Sequence, residues 1–595
     1  MKMPQSIESL EVLVDLIRIK TGAALRRGLW HTCEGSAQRS RSAHMRHRVV
    51  PHERTYVNVT LFVGNVVTMS EANPQANAVL VRNDRIVAVG TETEVRAAVR
   101  PEESATLDVV DLGERVLMPG LIEPHGHPTS SAVLMSDHVT DIRPVVVTDA
   151  VEVMQRITDA IAQRPGGVVA NGWDPLLQRG LQDPTRASLD ALGGDVPVVI
   201  LHNSGHTAFF NSAAAKLAGI DRDTPDPAGA EFVRDAAGEL TGVAREVAAI
   251  FTLAGPLVGD AYAEFGAMVS AELRRASAAG VTTLADLSWE PERAPLVGAA
   301  RARFGLTARI RGYEMSRPGS SSTVSLANGD DLVRQIGVKT WVDGSPWVGN
   351  VATSFPYLDN ATTAAMGLSP GHRGAANFSR EELLEISRTY ASQGWQLACH
   401  AHGDLVIDSV LDVWEQVIDE LNLTEHRFRL EHVGAMTPAQ FERAASLGVT
   451  ASVFVDHVYY WGDVLVDELF GAPGARWTDA ESAFAAGMRA TFHNDGTVTP
   501  LEPFRNMSVA MTRLSRSGRH LDGAKGVSRN DALRAHTINA AWQLFSEDHI
   551  GSIEPGKYAD LIIVDRDPRH VTPAALAETL VLATYLAGEL VYERS

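Results

Sequence analysis

Between residues 57 and 117 the chain reads as short runs of alternating or continuous apolar residues, the period of extended strands. Val57–Val63, Asn65–Met69 and Val109–Leu117 each predict one. Ala78–Arg82 and Arg85–Gly90 predict a hairpin turned on Asn83-Asp84. The far end returns to this character, with a turn and strand over 551–565 and a last hairpin over 580–592 around Gly588-Glu589. Two β segments at opposite ends of a chain are expected to pair into one small domain.

From about 116 to 545 the pattern changes. Short apolar runs predict strands at Val196–Val199, Thr282–Leu287, Gly337–Val342, Gln396–His400, Arg427–His432, Val449–Val453 and Arg489–His493. Helix-like stretches such as Arg380–Gly394 and Leu405–Leu421 separate them. Repeated strand–helix alternation over this length predicts an α/β fold, a (β/α)₈ TIM barrel. A doubly wound sheet is the alternative, disfavoured because no Gly-x-Gly-x-x-Gly turn follows a first strand. The expected architecture is a barrel over 116–545 and a small β-sandwich domain from 56–115 plus 546–595. Glu231 to Arg245 predicts a hairpin inserted into the barrel, placed to cover its mouth.

Charge and cysteine content narrow the function classes. A formal net charge of -20 argues against nucleic acid as the main partner. The apolar runs are too short for a membrane helix, so no membrane partner is expected. Two cysteines, Cys33 and Cys399, exclude a disulfide framework and a Cys-rich zinc site and favour a cytoplasmic setting. Any metal must then be held by His, Asp, Glu or a modified Lys. Residues 1–55 are basic inside this acidic chain and are expected to be a disordered tail, an extension from a start assigned too early, or a targeting segment.

Candidate chemistry gathers where strands end. Residues i and i+2 of a strand face one side, so His125 and His127, after Leu121-Ile122-Glu123-Pro124, can converge on one point. Twenty histidines make about one His-x-His pair expected by chance, and His400-Ala401-His402 is a second. The first pair gains its weight from Lys339, His400, His432 and Asp495, which stand at later strand ends in strand order. In a (β/α)₈ barrel, chemistry sits at these C-terminal ends.

The motifs PGLIEPHGHP, NGWDP, NSGHTAFFNSAA, GVTTLAD, GVKTWVDGS, CHAHGD, RLEHV, HNDG and GSIEPGKYADLIIVD run in order from about residue 57 to the C-terminus. With them the chain resembles the amidohydrolase superfamily, and within it amidohydrolase family 3, the YtcJ-like branch that includes N-substituted formamide deformylases. The resemblance implies one or two divalent metals per chain, commonly Zn²⁺. His125 and His127 would hold one, and His400 and His432 the other. Lys339, carboxylated by CO₂, would bridge them. Asp495 would contact the first metal and move the proton of a metal-activated water as general acid/base. An ammonium cannot bind a cation, whereas a lysine carbamate is an oxygen ligand. His402 competes with His400; the family usually has an apolar residue at that second place, which makes His402 a supporting donor. His-Asn-Asp at 493–495 departs from a common Gly-Ser-Asp and leaves His493 open between a substrate-facing role and packing.

His206, at what reads as another strand end, is a candidate for binding the substrate carbonyl or its oxyanion, with a structural histidine as the alternative. Trp173, Ser345 and His457 complete the substrate-facing candidates. Trp289, Trp341, Trp347, Tyr459, Tyr460 and Trp461 also lie near the motifs and suit an apolar or aromatic substrate. The expected activity is hydrolysis of a C–N amide bond of the N-formyl or N-acyl amine type. The same centre also serves ester, carbamate and cyclic-amide hydrolysis and deamination. A non-catalytic binding protein on this fold is the rival from another class. The expected partner is a small-molecule amide, apolar or aromatic, with a homodimer as the candidate assembly.

Overall fold

A computed structural model describes residues 58–595 except 228, 229 and 317. The expectation for residues 1–55 lies outside the described residues.

The centre is a barrel of eight parallel strands: β1 Leu121–Gly126, β2 Val281–Trp289, β3 Arg309–Met315, β4 Val333–Trp341, β5 Gln396–Ala401, β6 Arg429–His432, β7 Thr450–Val453 and β8 Thr491–Phe492. Each pairs in parallel with its neighbour in the ladder. Helices cover the outer face of the strands, so β1 and β5 to β8 are buried along their whole length, as parallel strands must be. The helix Arg380–Ser392 starts at Ser379, whose side chain forms a capping box with Glu382. It turns Leu383, Ile386 and Tyr390 into the core. The helix Asp404–Leu421 buries Val406, Ile407, Val410 and Trp414 and stops at Asn422 in a left-handed conformation. Gly403, just before it, has no room for a side chain: a Cβ there would lie 1.9 Å from the Ala352 carbonyl oxygen.

The hydrogen-bond ladder does not close between β8 and β1. There the Glu123 carboxylate accepts the amide N–H of Asn494, just past β8, at 3.2 Å and that of His125 on its own strand at 3.4 Å. One side chain thus joins the two strand ends that carry His125 and Asp495.

Two corrections concern which strands form the barrel. Val196–Val199 is not a barrel strand. It falls on Val198–His202, part of a six-stranded sheet inserted after β1, ordered Glu231–Arg234, Leu240–Arg245, Thr207–Phe210, Val198–His202, Val168–Trp173, Val139–Asp141. The predicted hairpin over 231–245 is present and forms one edge of that sheet. The barrel strand that the pattern did not show is β3, whose Arg309 and Arg311 are buried polar residues.

The terminal segments pair into one seven-stranded sheet, ordered Glu589–Glu593, Val581–Leu586, Leu561–Val564, Leu107–Pro119, Val59–Val66, Ala78–Arg82, Arg85–Gly90. Phe62, Leu112, Leu117 and Ile563 pack together in it, and Val59, Leu61, Leu80 and Val95 in a separate cluster. Leu107–Pro119 runs through Gly120 directly into β1. Asp560 ties this sheet to the barrel: Arg309 donates to both of its carboxylate oxygens, at 2.7 and 2.9 Å, with both side chains buried. Among the described residues no helix is long and apolar enough to cross a membrane.

Candidate metal centre

The C-terminal ends of β1, β4, β5, β6 and β8 bring His125, His127, Lys339, His400, His432 and Asp495 together, with His402 and His493 beside them. The chain turns sharply where two of these strands stop: His432, Val433 and Asp495 all have left-handed backbone conformations, with φ of 70°, 49° and 52°. Such residues cost about 1–3 kcal/mol each and persist only where surrounding structure holds them.

Three groups offer ligand atoms within 4.8 Å of one another: His125, His127 and Asp495; His400, His402 and His432; and His125, His432 and His493. Hydrogen bonds fix the proton positions in the first group. Glu431 is ion-paired with Arg429 and accepts from His125 Nδ1 at 2.6 Å, so Nδ1 carries the proton and Nε2 is a bare lone pair. His127 Nδ1 lies 3.0 Å from Ser288 Oγ, whose own proton goes to Asp286, so His127 Nδ1 donates. The two Nε2 atoms sit 3.8 and 3.3 Å from Asp495 Oδ1, which is buried and takes no hydrogen bond. Two lone pairs and a carboxylate oxygen facing one another repel unless a cation, the Lys339 ammonium 3.4 Å from His125 Nε2 or a metal ion, lies near them. This donor set fits a divalent metal.

In the second group, His400 Nε2 donates to the Gly344 carbonyl at 2.9 Å, leaving Nδ1 as the free donor atom. His432 Nδ1 and His493 Nε2 are 3.1 Å apart, and His493 Nδ1 meets Ser452 Oγ at 2.9 Å, a relay that holds both rings. Burial holds His125, His400, His402, His432 and His493 well below the usual imidazole range, so all five are neutral at pH 7 and available as ligands.

Lys339 is fully buried, its Nζ 3.4 Å from His125 Nε2. Burial pushes its amine down to about 8. A larger neutral fraction near neutral pH is what carboxylation of an amine requires.

His206 does not end a barrel strand. It closes a turn between Val198–His202 and Thr207–Phe210 of the inserted sheet, yet its ring reaches within 5.1 Å of that of His400. Its Nδ1 lies 2.9 Å from Glu246 Oε2. Burial pulls its pKa down, and Glu246 outweighs that and raises it. His457 accepts a hydrogen bond from Trp477 Nε1 at 3.1 Å and stacks on His402; burial pushes it down to about 3. Ser345 sits next to Gly344 and caps the short 3₁₀ turn Pro346–Val348. Trp173 is not brought to this cluster. Its ring packs on Phe209 in the core of the inserted sheet, and its Nε1 donates to Asp183.

Sequence reasoning missed the groups that hold the clustered side chains: Glu123, Glu246, Asp286, Arg429 and Glu431. The signal was present for Arg429 and Glu431, charged residues inside a buried four-residue strand.

The amidohydrolase family profile matches residues 108–592. An N-substituted formamide deformylase of Arthrobacter pascens is 31% identical over 550 residues, covering 89% of this chain and 97% of that protein. YtcJ of Bacillus subtilis strain 168 is 24% identical over 549 residues, covering 89% and 99%. The structure of an uncharacterized metal-dependent hydrolase from Pyrococcus horikoshii OT3 matches with a TM-score of 0.66, covering 87% of this chain and 99% of that one at 22% identity, which shows a shared fold. The chain belongs to the amidohydrolase family and is a metal-dependent hydrolase of that family.

Proposed function

We propose that this enzyme hydrolyses the C–N bond of a small N-formyl or N-acyl amine, using Zn²⁺ at two positions. His125, His127 and Asp495 would hold the first; His400 and His432 would hold the second; and Lys339, as a carbamate, would offer an oxygen ligand. The observation that carries this is Asp495 Oδ1, buried without a hydrogen bond and faced by two imidazole lone pairs. The formamide deformylase of Arthrobacter pascens supports the choice of bond.

The bound ions would supply Lewis acidity, polarising the substrate carbonyl and lowering the pKa of a water toward neutrality. The residues do the rest. The neutral amine of Lys339 would attack CO₂: an N–C bond forms, one C=O π bond opens onto its oxygen, and the nitrogen's proton passes to water, leaving an anionic oxygen ligand. Asp495 takes the proton of the attacking water and returns it to the departing nitrogen, so that an amine leaves. His206, its Nδ1 held by Glu246, donates to the carbonyl oxygen as negative charge builds there. His457, Ser345 and the stacked pair Trp347 and Trp461, 4.7 Å apart, adjoin the histidine cluster and suit an apolar or aromatic substituent. Trp173 acts through the packing of the inserted sheet. The low cysteine content favours the cytoplasm, and the small β unit of the terminal segments is a supporting domain.

Replacing Asp495 by Asn tests this directly. Turnover is expected to fall by about 10²–10⁴-fold while circular dichroism stays unchanged. Wild-type turnover in the Asn variant contradicts the proposal.

A further inference from the structure

Two histidines of the cluster, His402 and His493, stand outside the six groups assigned to the metals, and they differ in how their rings are used. Both nitrogens of His493 are engaged, with Ser452 and His432. His402 Nδ1 is buried and takes no hydrogen bond. Its ring lies face to face between two others, 4.8 Å from His432 and 5.2 Å from His457, nearly parallel to each. Its backbone is fixed as well: the amides of His402 and Gly403 donate to the two oxygens of Asp343, at 2.9 and 2.8 Å. The packing gives no reason for a nitrogen in this ring, since an apolar side chain would fill the same slot without an unpaired polar atom. One nitrogen each of His400, His402 and His432 lies within 4.8 Å of the others.

We propose that His402 is a third imidazole ligand at the second metal position, so that His400, His402 and His432 hold a divalent ion there without needing the oxygen of a Lys339 carbamate. This rests on the proposed two-metal centre. Three imidazoles with one open position are a sufficient donor set for Zn²⁺. In this chain, then, loss of CO₂ or of Lys339 does not empty the second position, and His402 rather than the carbamate decides how tightly that ion is kept.

The test counts zinc per chain in protein loaded with Zn²⁺ and then challenged with a graded chelator, with circular dichroism as the check on folding. Wild type should hold two ions. Lys339→Ala should also keep the second-position ion. His402→Leu, which preserves bulk, should release one ion at a chelator concentration at least tenfold lower while keeping the other. Lys339→Ala combined with His402→Leu should keep only the first-position ion. His402→Gln, which offers a weaker donor in the same slot, should fall between Leu and wild type, an ordering that bulk alone does not produce. Retention of both ions by His402→Leu with wild-type affinity overturns the inference, as does loss of the second ion from Lys339→Ala alone. Wild type that binds no zinc contradicts the two-metal centre and this inference together, so the two failures are distinguishable.

Discussion

At the scale of single residues, Glu431 accepts the Nδ1 proton of His125 and is itself held by Arg429, which also donates to the Pro124 carbonyl. This is a proposed ligand oriented from behind, and such partners typically change metal affinity 10–100-fold when removed. Glu431→Gln is therefore expected to weaken zinc binding by about that factor, measured by competition with a chelating dye; unchanged affinity would show that the ring is held by packing alone. The clustered residues His125, His127, Lys339, His400, His432 and Asp495 were legible in the sequence because strand ends single them out. Their holders were not, because Glu431 meets His125 across 306 positions of chain and nothing local announces the pairing. Asp174 makes a separate prediction, away from the metal ligands. Burial raises its carboxyl to about 7, despite hydrogen bonds from Trp461 and the amides of Leu176 and Leu177. The unfolded carboxyl ionises near the ordinary value of 3.8, so between about pH 4 and pH 7 unfolding releases a proton and stability falls as pH rises. The contribution is full below pH 4 and gone above pH 7. Asp174→Asn should flatten the pH dependence of the melting temperature across that window, a change of at most about 1.4 kcal/mol per pH unit. An equally steep variant would mean that Asp174 is ionised in the fold.

At the scale of elements, the inserted six-stranded sheet explains both a misplacement and a gain. Its strands Val139–Asp141, Val168–Trp173 and Val198–His202 alternate with the helices Ala150–Gln163 and Arg186–Gly193. That pattern has the same period as the barrel's own, so hydrophobic spacing alone does not say which sheet a strand joins. β3 was hidden for the opposite reason: Arg309-Ile310-Arg311-Gly312 reads as polar, and its arginines become buried only by finding partners such as Asp560 and the Asp331 carbonyl. Breaking that anchor should be costly, since a buried charge left alone costs about 3–5 kcal/mol. Asp560→Ala is accordingly expected to lower urea stability by about that amount, and a loss below about 1 kcal/mol would place the anchor elsewhere. The inserted sheet also delivers His206 and Glu246 to the barrel mouth. His206→Asn should cut kcat about 10²-fold with zinc content unchanged; a loss of zinc instead would make His206 part of the metal cluster.

At the scale of the whole molecule, the chain places a histidine-rich centre inside a barrel and braces it with a sheet made from both of its ends. The barrel, the terminal sheet and the strand-end order of the clustered side chains were legible because they rest on periodicity and position. The substrate was not, because residues proposed to face it, such as His206 and Ser345, sit in turns between elements, where no period guides the reading. The proposed substrate, an N-formyl or N-acyl amine with an apolar N-substituent, rests on the aromatic and imidazole surfaces near His457 and on the formamide deformylase of Arthrobacter pascens. The most direct measurement is amine release from a panel of N-formyl and N-acyl aromatic amines by zinc-loaded enzyme, with and without chelator. Release of one amine and one carboxylic acid per substrate is expected, abolished by chelation and restored by Zn²⁺. Zinc-loaded enzyme that releases no amine from any amide, yet cleaves the corresponding esters, would contradict it.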